Sequence, residues 1–116
     1  MIQLRRDPEG DERGDGRFAP GTLVHHRKYG YRGLVVDADP ECLADANWYQ
    51  SNQSQPRRDQ PWYHVLVHGS AHSTYVAQEN LILDTSGEAL AHPLLTRYFD
   101  AFEDGSYRRN DVPFGA

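Results

Sequence analysis

The run Pro61-Trp62-Tyr63-His64-Val65-Leu66-Val67-His68 limits what this chain can fold into more than any other stretch. β-Branched and aromatic residues fill it. Alternation puts Trp62, His64, Leu66 and His68 on one face of a strand, and Tyr63, Val65 and Val67 on the other. Gly69-Ser70-Ala71-His72 reads as a hairpin connection, and Ser73–Ala77 as the returning strand. Two upstream runs have the same character. Thr22–His26 follows the Pro20-Gly21 turn signal, and Leu34–Asp39 ends at Pro40, which cannot donate a ladder hydrogen bond. Gln78–Leu81 reads as a short helical turn, with Leu81-Ile82-Leu83 tucked back onto the core. The expected fold class is mainly β: a small barrel of four to five strands.

The C-terminal part changes period. Apolar residues at 94, 95, 98, 99 and 102 follow helical spacing, with Pro93 suited to the first turn and Gly105 to the C′ position. This predicts a closing amphipathic helix over 93–104. Residues 1–17 carry four Arg against five acids among Gly and Pro, and they read as a mobile charged tail. The expected domain therefore spans 18–105, with a C-terminal tail over 106–116. Residues 41–60 are mostly polar and read as a long loop, interrupted by the aromatic pair Trp48-Tyr49.

Composition narrows the function classes. The 116 residues amount to one domain, and a net charge of −5 opposes bulk attraction to nucleic acid. Any DNA contact must come from a local basic patch. The single cysteine, Cys42, excludes an internal disulfide and fits a reducing cytoplasm. No run of about 18 apolar residues occurs, so the chain is read as soluble, without membrane association or export.

Catalytic and metal chemistry find little support. His64, His68 and His72 recur every four residues, but on a strand His64 and His68 stand about 13 Å apart, too far to share one ion. His25 and His26 point to opposite strand faces. Cys42 lies near Glu41 and Asp45, acids that do not activate a thiol as a nucleophile. Asp37 and Asp39 share a strand face before a turn, where carboxylates are usually solvated. No phosphate-binding glycine motif or nucleophile elbow is present. The reading is non-enzymatic, with no cofactor and no metal.

Arg27-Lys28-Tyr29-Gly30-Tyr31-Arg32 interleaves cations with aromatic rings. Cations pair with phosphates, and rings stack on bases or pack on sugars. Arg57-Arg58 in the long loop is a second basic point, able to join the first if the loop folds over the hairpin. Candidate DNA-binding residues are thus Arg27, Lys28, Tyr29, Tyr31, Arg32, Arg57 and Arg58. Trp48, Tyr49, Trp62 and Tyr63 form a candidate interaction surface, either as core packing or as a groove for a peptide or nucleotide.

Several linked motifs occur in order: Phe18-x-x-Gly21, His26-Arg27-x-Tyr29-Gly30-Tyr31-Arg32-Gly33-Leu34-Val35-Val36-Asp37-x-Asp39-Pro40, Gln60–Val67 and Thr74-Tyr75-Val76-Ala77-x-Glu79-Asn80-Leu81. Together they resemble the YccV-like domain family, which includes the bacterial heat-shock protein HspQ. The resemblance covers roughly residues 18–83, plus the closing His92-Pro93 helix seen in some members. It implies an SH3-like barrel and binding of hemimethylated DNA. For HspQ-like members it also implies quality control through an ATP-dependent protease or unfolded client proteins, and homo-oligomer formation. Two functions follow as expectations: a DNA-binding module, or a protein-interaction module acting as a protease adaptor.

Overall fold

The computed structural model describes residues 18–52 and 54–115. The tail expected over 1–17 lies outside the described residues. Among the described residues seven strands form two sheets: β1 (Leu23–His26), β2 (Arg32–Asp39), β3 (Trp62–Val67), β4 (Ser73–Ala77) and β5 (Leu81–Leu83) in one, β6 (Phe99–Glu103) and β7 (Ser106–Arg109) in the other. The larger sheet is antiparallel in the order β4-β3-β2-β1-β5. The 3-10 turn Gln78–Asn80 carries the chain from β4 across to β5, beside β1.

Both faces of the sheet are buried, which explains why its strands are rich in Val and Leu on successive positions. Leu23, Leu34, Val36 and Leu66 pack on one side with Leu90, Tyr98, Phe99 and Tyr107. Val24, Val35, Tyr63, Val65, Val76 and Leu81 form the other core, with Phe18 and Tyr31 at its margin. A third cluster of Cys42, Trp62 and Ala77 sits under the 41–60 segment.

Three expectations are corrected. First, the five-stranded sheet is open, with β4 and β5 as its edges, so the closed SH3-like barrel is not observed. Second, the closing amphipathic helix is absent. Within this segment Leu95–Tyr98 alone is helical, and the chain then turns into the β6–β7 hairpin. The reason lies in Asp104-Gly105. Both adopt positive φ, 54° and 78°, as a two-residue hairpin turn requires. Asp-Gly read as a helix stop is equally a hairpin signal, and Phe99 and Tyr107 need extended backbone to cover the Leu23–Leu34 face. The domain boundary expected at 105 falls inside this turn, and Val112 and Phe114 also pack on that core. Third, only Leu81 of β5 is buried; Ile82 and Leu83 are exposed.

Hairpin and sheet meet at Gly21. Its N–H donates to Val35 O at 2.8 Å, and its carbonyl accepts from Tyr107 N at 2.9 Å. Its φ is 101°, and a Cβ there would collide with the Tyr107 carbonyl oxygen. Arg109 adds a second tie, donating from Nε to Val36 O at 2.8 Å.

Candidate nucleic-acid interface

The basic–aromatic segment forms a tight turn closing β1 onto β2. His26 and Tyr31 pair through their backbones, and Gly30 N donates to His26 O at 3.0 Å. The His26 ring completes the turn from inside. Its Nδ1 accepts from the backbone N–H of Lys28 and of Tyr29, each at 3.1 Å. Tyr29 stacks on His26 with centroids 4.5 Å apart, and Tyr31 lies at 5.1 Å. Burial lowers the His26 pKa, with Lys28 and His25 adding repulsion, so the ring is held neutral at pH 7. Arg27 N donates to Asn80 O at 2.8 Å and its Nη1 to Glu79 O at 3.1 Å, which fastens the turn to the 3-10 segment.

The 41–60 segment is an ordered arm over the described part of its length, with a short helix α1 (Ala46–Ser51) at its centre. Asp45 caps it by accepting from Trp48 N at 2.8 Å. Arg58 holds the arm from below. Its Nη2 donates to the carbonyls of Cys42 and Ala44, and its guanidinium lies 4.9 Å from the Tyr49 ring centre. Trp62 Nε1 donates to Arg57 O at 3.1 Å, and the Tyr49 hydroxyl donates to the carbonyls of Gln55 and Pro56. This positions Trp48 edge-on to Tyr75 at 5.6 Å and Trp62 at 6.2 Å.

Turn and arm face each other across a groove of about 310 Å³. Tyr29, Tyr31 and His26 come from the turn side, and Trp48, Trp62 and Tyr75 from the arm and sheet. Among the described residues, no Lys, Arg, Asp or Glu lines it. Tyr31 is fixed by its hydroxyl, 3.0 Å from Thr74 Oγ1. On the far side of Trp48 a second hollow is lined by Asp39, His64 and Tyr75. There the Tyr75 hydroxyl donates to Asp39 Oδ2 at 2.6 Å and accepts from Leu43 N at 3.0 Å. Burial and the Asp39 carboxylate push the Tyr75 hydroxyl well above its ordinary pKa.

The candidates named from sequence thus separate into groups. Tyr29, Tyr31, Trp48 and Trp62 meet in the groove. Arg27, Lys28 and Tyr29 are exposed on one turn at its margin. Arg32 points elsewhere, its Nε 2.7 Å from Asp84 and its Nη2 donating to Glu88 O at 2.6 Å. Arg57 pairs in solvent with Asp59. Arg58 and Tyr49 support the arm, and Tyr63 is fully buried, donating to Gln78 Oε1 and accepting from Phe18 N. His26, Tyr75 and Asn80 stand within the family motifs of the sequence but not among the candidate site residues. Local pattern does not place them in the groove; pairing of β3 with β4 and the Arg27 N–H bond to Asn80 O do.

Comparisons with known proteins agree with this architecture of linked motifs. F-box only protein 21 from Homo sapiens and from Pongo abelii is 31% identical over 112 residues, covering 94% of this chain and 17% of each relative's own length. The mouse protein of that name aligns equally. The chain therefore spans about a sixth of the length of these relatives. Residues 16–106 match the YccV-like family, described as "Hemimethylated DNA-binding protein YccV like", and the chain belongs to that family.

Proposed function

We propose that this protein is a non-enzymatic module that binds duplex DNA, with preference for the hemimethylated form, through the Arg27–Tyr31 turn. The family match over residues 16–106 carries the reading. The turn supports it with the exposed cations Arg27 and Lys28 beside the exposed ring of Tyr29. Arg27 and Lys28 contact phosphates, and Tyr29 packs on the sugar–base surface beside them. Arg32 and Arg58 hold the scaffold, since they are half-buried with guanidinium groups engaged by Asp84 and by two loop carbonyls, whereas Arg27 is exposed and makes one side-chain bond, to Glu79 O. Binding from so small a patch on a chain of net charge −5 is weak and steeply salt-dependent. A titration of hemimethylated against unmethylated duplex at low salt tests this. Absence of binding to either duplex refutes it.

A second reading is a protein-interaction module, such as an adaptor for an ATP-dependent protease. The uncharged aromatic lining of the groove and the acidic balance of the chain favour it. Its mark is binding of an unfolded client with little salt dependence.

A further inference from the structure

His26 and Asn80 are the buried polar residues of the described chain, at 5% and 8% exposure, and both line the aromatic groove. Buried polar groups in native proteins almost always have partners. These two are incompletely satisfied. His26 Nδ1 accepts two backbone N–H groups, so the proton of the neutral ring resides on Nε2. Among the described residues His26 Nε2 has no hydrogen-bond partner, and neither does the Asn80 side-chain amide. A donor, together with an amide that offers both a donor and an acceptor, is left at the base of a groove walled by rings.

A ligand that answers this arrangement is planar, to lie among Tyr29, Trp48 and Trp62. It is uncharged, because no ionised side chain of the described residues lines the groove. It also presents hydrogen-bond acceptors and donors along one edge. A nucleobase has all three properties, and an asparagine amide matches the N6/N7 edge of adenine. The volume, about 310 Å³, is at the small end of ligand sites and accommodates one heterocycle. The exposed Arg27 and Lys28 at the margin supply the charge for the flanking phosphates. Aromatic stacking with edge hydrogen bonds is how extruded bases are generally held.

We propose that the groove receives a single nucleobase unstacked from DNA, stacked among Tyr29 and Trp48 and read at its edge by His26 Nε2–H and the Asn80 amide. This rests on the DNA-binding reading above and deepens it. It makes base extrusion the step at which methylation is sensed.

The test uses the full chain and duplexes carrying N6-methyladenine or 5-methylcytosine on one strand, with 2-aminopurine as the 3′ neighbour of the methylated base. Withdrawal of that base relieves stacking on 2-aminopurine, so its emission rises on binding. The proposal expects a saturable rise with either duplex. It also expects loss of that rise and roughly tenfold weaker binding in Asn80→Ala and Trp48→Ala. Circular dichroism checks that both variants are folded, and Trp48 is an exposed residue of α1 whose loss leaves the sheet intact. Salt-dependent binding with flat emission overturns base insertion while leaving the DNA-binding reading standing. A rise that persists in both folded variants overturns it as well. No binding to any duplex removes both. Flat emission, combined with a saturable change in tryptophan emission on titration with N-acetylphenylalanine amide, overturns it in favour of a peptide side chain in the groove.

Discussion

Arg32 Nε donates to Asp84 Oδ2 at 2.7 Å across 52 residues of chain, with only 18% and 9% of the two side chains exposed. The pair joins the start of β2 to the segment after β5, and the Arg32 Nη2 bond to Glu88 O extends the tie. Burial pushes the Asp84 carboxyl up, but hydrogen bonds from Arg32 and Ser86 outweigh it and hold the pKa below its usual range. The stabilisation is therefore complete above the unfolded-state pKa of about 3.9 and is lost as pH falls through the lower native value. Asp84→Asn should cost about 1–2 kcal/mol at pH 7 and less at a pH below about 3.9, read from urea unfolding midpoints at the two pH values. An equal loss at both would show that the carboxylate charge contributes nothing.

His26 behaves oppositely to a histidine that gains an acidic partner. Its pKa is depressed by burial and by nearby positive charge, so the unfolded chain binds the extra proton more readily. Stability from this residue is present above about pH 6.5 and declines as pH falls through the lower native pKa. His26→Asn keeps a carbonyl oxygen able to accept from the turn N–H groups and removes the titration. The slope of stability against pH between about 5 and 7 should flatten in that variant. An unchanged slope would assign it to other groups.

Arg27→Gln and Lys28→Gln together should weaken DNA binding and reduce the log–log salt slope by about 1.8, near 0.9 for each phosphate no longer neutralised. Arg32→Gln is expected to lower stability with little change in that slope, because its guanidinium is engaged by Asp84 and Glu88. Fluorescence anisotropy across a salt series separates the two. An equal slope change for Arg32→Gln would return that residue to the interface.

Tyr75→Phe removes the hydroxyl that bridges Asp39 and Leu43 N. The arm over 41–60 should loosen by about 1 kcal/mol, seen as faster amide exchange at Leu43 and faster proteolysis within the arm. Groove binding should fall with it, because Trp48 is carried on that arm. Unchanged exchange at Leu43 would show that packing alone seats the arm.

Gly21→Ala forces a β-carbon against the Tyr107 carbonyl at a φ of 101°. A loss of more than about 1–2 kcal/mol is expected, with the β6–β7 hairpin released first. Thermal melting followed by near-ultraviolet dichroism of Tyr107 and its neighbours checks this. A melting temperature equal to that of the native chain would contradict the close approach.

The five main strands and their turns were legible in the sequence, since period-2 alternation, Pro40 and the glycine turns are local properties of the chain. Linked motifs along 18–83 also disclosed the family. The second hairpin was not legible. Residues 94–102 satisfy a helical period and Asp104-Gly105 suits a helix stop as well as a hairpin turn, so the need to cover Leu23 and Leu34, residues far away in the chain, decides for strand from Phe99 onward. The candidate site divides along the same line. The turn Arg27–Arg32 announced its basic and aromatic character by composition. That Arg32 faces Asp84, that Arg58 underlies Tyr49, and that His26, Asn80 and Trp48 share one groove with Tyr29 are outcomes of strand order and of the arm folding back. Side-chain type is written residue by residue, whereas partners across 50 positions exist only once the sheet has brought them together.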